Sequence, residues 1–112
     1  LFGAETNETQ LVPVIEGDSV TLHTDVTEIN GDNDVLWKFG TKTDLIAEIN
    51  KNAEIFFTYD DVHDGRFRNR LKLDNQTGSL IIMNITTQHA GLYQLEISGV
   101  MLTSKRFNVS VY

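Results

Sequence analysis

His89-Ala90-Gly91-Leu92-Tyr93-Gln94-Leu95-Glu96-Ile97 is the stretch from which the rest of the chain is read. Tyr93, Leu95 and Ile97 alternate with Leu92, Gln94 and Glu96, the period of two that belongs to a β-strand with one buried face. His89-Ala90-Gly91 is a tight, turn-like lead-in, where Gly91 is free to take backbone angles that other residues avoid.

Working outward, further short strands appear, separated by turn residues. Leu11-Val12-Pro13-Val14-Ile15 contains a proline, which confines it to a sheet edge. Val20 to Val26 alternates, with Val20, Leu22, Thr24 and Val26 on one face. Val35, Trp37 and Phe39 share a side of the next strand. Asp44 to Ile49 and Glu54 to Tyr59 read as two more; on the first, Ile46 and Glu48 alternate with Leu45, Ala47 and Ile49, and the pattern alone leaves the buried face open. Phe67 to Leu73 alternates through Phe67, Asn69, Leu71 and Leu73, so Arg66, Arg68, Arg70 and Lys72 read as that strand's solvated stripe. Asp74 to Gly78 is a hairpin turn before Leu80 and Ile82. The last strand runs from Lys105 to Tyr112, with Phe107, Val109 and Val111 inward. Short strands at regular spacing, one proline and no helical period predict an all-β sandwich of two sheets.

With 112 residues the chain is expected to form one domain over 1–112, long enough for a core. No run approaches the ~18 apolar residues of a spanning helix, so any membrane anchor would lie outside this chain. It opens at Leu1-Phe2-Gly3 with no leader, as a trimmed mature fragment would. A net charge of −7 argues against nucleic acid and anionic membranes as partners. The chain has no cysteine, which by itself suggests a reducing compartment. Four N-x-[ST] tripeptides, at Asn7, Asn75, Asn84 and Asn108, point the other way, to a secreted or cell-surface glycoprotein.

Catalytic and metal chemistry find no footing. His23, His63 and His89 share no ligand spacing and read as surface histidines. Asp60, Asp61 and Asp64, with Asp32 and Asp34, lack the central glycine and closing glutamate of a calcium loop. No serine sits in a Gly-x-Ser-x-Gly elbow. The expectation is a non-enzymatic protein with no cofactor, no metal and no small-molecule ligand.

Gly17-Asp18-Ser19-Val20-Thr21-Leu22, the lone Trp37, Thr77-Gly78-Ser79-Leu80-Ile81-Ile82 and Ala90-Gly91-Leu92-Tyr93 fall in an order and spacing that resembles a variable-type immunoglobulin domain, over nearly the whole chain. The resemblance implies a tyrosine corner at Tyr93, with its hydroxyl bonded to upstream backbone. It places Thr24 and Leu95 at the two positions that usually hold the inter-sheet disulfide, with Trp37 thirteen residues after Thr24. A sandwich lacking that bridge forgoes about 2–5 kcal/mol. Thr24, Trp37, Tyr93 and Leu95 are therefore expected to form a packed pin, and burying a leucine side chain contributes about 1.5–3 kcal/mol. The resemblance also implies an aspartate, paired with Arg66, where His89 stands, so that ion pair is lost or replaced.

Without the cysteines, the chain looks like the membrane-distal domain of the signalling lymphocyte activation molecule (SLAM) family. Phe2-Gly3-Ala4-Glu5-Thr6, Ile46-Ala47-Glu48-Ile49-Asn50 and Arg66-Phe67-Arg68-Asn69-Arg70-Leu71 resemble phrases of fish receptors of that type. The resemblance implies a cell-surface immune or adhesion receptor whose C-C′-F-G sheet meets a like or related domain in trans, through weak, multivalent contacts that include a weak homodimer. The contact candidates are Leu36, Lys38, Glu48, Leu92, Gln94, Glu96, Ser104 and Arg106. The alternatives are a spacer repeat with no contact of its own and a lectin-like sandwich.

Overall fold

The computed structural model describes residues 9–61, 63–99 and 101–112. Among them the strands are β1 (Thr9–Val14), β2 (Val20–Leu22), β3 (Asp34–Phe39), β4 (Asp44–Asn50), β5 (Ile55–Thr58), β6 (Leu71–Leu73), β7 (Leu80–Ile82), β8 (Gly91–Ser98) and β9 (Thr103–Val111). They form a six-stranded sheet, ordered β1-β9-β8-β3-β4-β5, facing a three-stranded sheet, β2-β7-β6. This is the expected two-sheet sandwich. From Gly91 onward the stretch 89–97 becomes β8, between β9 and β3, with Tyr93, Leu95 and Ile97 buried, while His89 closes a short 3-10 turn capped by Ala90. β1 carries Pro13 and pairs in parallel with β9 alone, so the missing N–H falls at an edge where no ladder needs it.

With no bridge to tie the sheets, contacts around Trp37 hold them. Its ring is fully buried, 5.7 Å from the Phe107 ring, and its indole N–H donates to the Gly78 carbonyl at 2.8 Å. Gly78 has φ +79, and an added Cβ would lie 3.2 Å from Ile29, so the turn that presents this carbonyl needs glycine. Thr24 is buried, its hydroxyl donating to the Thr77 carbonyl at 2.7 Å while its N–H donates to the Ser79 hydroxyl at 3.2 Å. Leu95 is fully buried. The Tyr93 hydroxyl donates to the His89 carbonyl at 2.6 Å, and burial pushes its pKa well above that of an ordinary phenol.

Three local readings need correction. Phe67 to Leu73 is not one strand: β6 begins at Leu71, and Asn69 turns the chain with φ +61. Arg66, Arg68 and Arg70 are thus no strand stripe. Arg66 donates to the Gln88 carbonyl, Arg70 to the Asn84 carbonyl, and Arg68 pairs with Asp61 at 3.0 Å. The alternation misled because Phe67 is buried by packing, against Phe39 (5.1 Å, edge-on), His89 (5.4 Å) and Tyr93 (6.3 Å), and not by strand phase. Likewise β2 ends at Leu22, short of Val26, because Asp25 adopts φ +64.

His89 is the third correction, being buried and not on the surface. Its Nδ1 accepts from the Thr86 N–H at 2.9 Å, which leaves the ring proton on Nε2, 2.7 Å from the Arg66 carbonyl. A neutral imidazole therefore links the two segments that an Arg–Asp ion pair would join. Burial, with the Arg70 and Arg66 charges, holds its pKa below the ordinary value. The unfolded chain then takes up this proton before the folded one does. His89 is expected to give its full contribution above about pH 6.5 and to lose it as pH falls further, by at most about 1.4 kcal/mol per pH unit. Urea melts at pH 7.5 and 5.0 check this: the loss between them should shrink in His89→Asn, and an equal loss in both proteins would show that His89 is not responsible.

Candidate functional site

The outer face of the six-stranded sheet is built from the residues out of phase with the core. Strand pairing sets them in cross-strand rows. One row runs Phe57, Glu48, Leu36, Glu96, Ser104. The next runs Leu45, Lys38, Gln94, Arg106, Thr9. A third holds Leu92, Asn108 and Leu11. All eight contact candidates thus fall on three adjoining rows.

Two features of the rows depend on strand irregularity. The register of β3 against β4 shifts between Trp37 and Lys38. This bulge lets both Ile46 and Ala47 be buried and leaves Glu48 outward, which answers the open question of the β4 face. No shift interrupts β8 against β9, so Ser104 and Arg106 stay outward. Lys105, in the inward phase, carries its ammonium to the Asp25 carboxylate, which lowers the pKa of Asp25, and lies 5.5 Å from the Phe107 ring centre.

Three of the charged contact candidates on this face, Lys38, Glu96 and Glu48, have polar partners within the chain. Lys38 Nζ lies 2.9 Å from Glu96 Oε1, one row apart and on neighbouring strands. Glu48 accepts from the Tyr59 hydroxyl at 2.9 Å, a bond that raises the pKa of Tyr59. Tyr59 in turn packs edge-on against Phe57, with ring centres 4.9 Å apart. Phe57 and Tyr59 belong to this face although the sequence reading named neither. The period-two phase of Phe57 and Tyr59 within 54–59 was the available signal.

The sequons divide. Asn108 is exposed in the third row, beside Leu92 and Leu11. Asn75 sits in the turn between β6 and β7, and Asn84 follows β7 with φ +50; both are exposed and off this face. Asn7 lies outside the described residues. Among the described residues no His, Asp and Glu side chains gather as a metal site would, and no helix is long and apolar enough to cross a membrane.

Comparison with known proteins bears on the fold. The profile of the immunoglobulin V-set domain matches residues 6–112. The first immunoglobulin-like domain of human CD48 antigen superposes with a TM-score of 0.75 at 16% identity, over 99% of this chain and 88% of that one. CD84, described in connection with SLAM family function, gives 0.73 at 20% identity, over 94% and 98%. The CD2-binding domain of CD58 (lymphocyte function-associated antigen 3) gives 0.66 at 27% identity, over 93% of this chain and 54% of that one. A sequence comparison with curated proteins gives no match. The profile spans nearly the whole chain and the architecture agrees with it, so this protein belongs to the immunoglobulin V-set domain family.

Proposed function

We propose that this is the extracellular, membrane-distal recognition domain of a cell-surface receptor of the SLAM type, of the kind found in fish, and that the outer face of its six-stranded sheet binds a like or related domain in trans. It is a binding module and not an enzyme. The likeness of its fold to CD48, CD84 and the CD2-binding domain of CD58 supports a protein partner.

The observation that carries the reading is the charge distribution. The chain has a net charge of −7, yet the charged contact candidates are two cations, Lys38 and Arg106, and two anions, Glu48 and Glu96. Asp34, in the same phase at the start of β3, pairs with Asn50 and Ser98 outside these three rows, and the rest of the charge also lies off them. Two such chains repel at long range, but a balanced face allows them to meet, and screening shortens the repulsion to about 8 Å at physiological salt. The pairing of Lys38 with Glu96 holds both side chains in place before contact, which lowers the ordering cost of association. A glycan on Asn108 would stand over Leu92 and Leu11 and leave the other two rows open.

Sedimentation across micromolar to millimolar concentration tests this, with the wild type, Lys38→Glu, Glu96→Lys and the double exchange. Within one chain the pair is half-exposed and worth ~0.2–1 kcal/mol, so every variant should fold. Each single change puts like charges side by side and is expected to weaken the dimer tenfold or more, about 1.4 kcal/mol. The double exchange should self-associate like the wild type. Wild type mixed with the double exchange decides the issue, because across that interface like charges would meet. Failure to cross-associate supports contact through this pair. Equal cross-association would confine the pair to its own chain. A strict monomer throughout removes the homophilic version, and no binding to related V-set domains either would leave the spacer reading.

A further inference from the structure

Phe56 is placed like a core residue but is not covered like one. It pairs in register with Ile49, which is buried, yet Phe56 is 51% exposed. The reason is the unequal width of the two sheets. β5 is the open edge of the six-stranded sheet, β6 is the edge of the three-stranded one, and the two do not pair. At the β4–β5 end of this edge lies a shallow pocket of about 350 Å³, lined by Ile49, Lys51, Glu54, Ile55 and Phe56 and, from the turn after β6, by Asn75. An uncovered aromatic beside an open sheet edge invites association with other chains.

The sixth lining residue is the acceptor of the sequon Asn75-Gln76-Thr77. Its position is held firmly. Asp74 Oδ1 accepts from the N–H groups of Gln76 (2.8 Å) and Thr77 (3.2 Å), and the Gln76 carbonyl accepts from the Ile29 N–H at 2.7 Å. The backbone bonds lower the pKa of Asp74, so at neutral pH the charged carboxylate grips the turn.

We propose that an N-glycan on Asn75 fills this pocket, with its first N-acetylglucosamine laid on the Phe56 ring. The C–H face of a pyranose carries slight positive charge and matches the negative face of an aromatic ring. Its hydroxyl and acetamide groups remain turned to water and to the polar rim at Glu54 and Lys51. The glycan then shields the β5 edge and completes a core face that the short sheet leaves bare. The inference rests on reading the chain as an extracellular domain, and it adds a structural role for one particular sugar.

The test uses the domain secreted from glycosylating eukaryotic cells, with site occupancy read by mass spectrometry after enzymatic deglycosylation in heavy-oxygen water. Thermal unfolding is compared for the wild type, Phe56→Thr, Asn75→Gln and the double variant. Phe56→Thr should lower Tm by several degrees in the glycosylated background and by clearly less in the Asn75→Gln background. In NMR spectra of the wild type, the protons of the first sugar should show upfield ring-current shifts and cross-relaxation with the Phe56 ring. Equal Tm losses in the two backgrounds, with no ring-current shift, would overturn the proposal. So would an unmodified Asn75 when another sequon is occupied. If no sequon is occupied, the extracellular reading falls together with it.

Discussion

Trp37→Ala is expected to abolish stable folding of this domain at room temperature. The ring is fully buried between the two sheets, and truncating a buried Trp or Phe typically costs about 3–5 kcal/mol in transfer and cavity terms. A second loss follows. Gly78 is buried, and its carbonyl accepts the indole N–H at 2.8 Å; without that donor it is left unsatisfied, at about 1–3 kcal/mol. Together these approach the whole stability of an ordinary domain, about 5–15 kcal/mol. A disulfide-bridged sandwich has a covalent link to fall back on, and this chain has none. Far-UV circular dichroism in a urea series checks the result. Trp37→Phe separates the two losses, since it keeps most of the ring volume and forgoes only the N–H. An alanine variant whose urea midpoint stays close to wild type would refute this account of the pin.

Phe67→Ala should come next, at about 3–5 kcal/mol, although Phe67 belongs to no strand. Its ring is fully buried and meets Phe39, His89 and Tyr93. Phe39 also packs on Tyr93, with ring centres 4.7 Å apart. The truncation therefore opens a cavity under the tyrosine corner and beside the imidazole that joins Arg66 to Thr86. Tm should fall by ten degrees or more, since each kcal/mol moves it by very roughly 4–8 °C in a domain of about this size. If Phe67 were an ordinary turn residue, the shift would be a degree or two. The cycle with Tyr93→Phe adds a sharper reading. Residues in contact couple by about 0.5–3 kcal/mol, so strictly additive losses would deny that the cluster acts as a unit.

Most of the strands were legible because their signal is local. Alternation of Tyr93, Leu95 and Ile97 with polar neighbours follows from the two-residue repeat of any strand, and Pro13 marked an edge because it has no N–H to give to a ladder. The spacing of Thr24, Trp37, Tyr93 and Leu95 was legible through family resemblance, and all four are buried. The same local rule failed at Phe67 to Arg70. There an alternating pattern belongs to a turn, because burial of Phe67 comes from three rings distant in sequence or brought close by folding. His89 misled for a related reason: histidine is apolar enough to bury once both ring nitrogens are satisfied, and its partners, Arg66 and Thr86, are joined only by the fold.

The outer face shows the same division. Alternation in β3, β8 and β9 determined which residues point out, so the contact candidates could be chosen from the sequence. Which of them touch could not. The bulge at Trp37 and Lys38 sets the β4 face, and the strand register brings Lys38 to Glu96 and Phe57 to the end of their row. The sequence by itself determined most of the strands, the turn chemistry, the missing bridge and the four N-x-[ST] tripeptides, because each is written in neighbouring residues. Tertiary structure alone decided the ring cluster around Phe67, the neutral imidazole bridge at His89, the charge pairing on the sheet and the bare Phe56 beside Asn75. Each of these depends on long-range register and on the unequal widths of the two sheets, which no local pattern encodes.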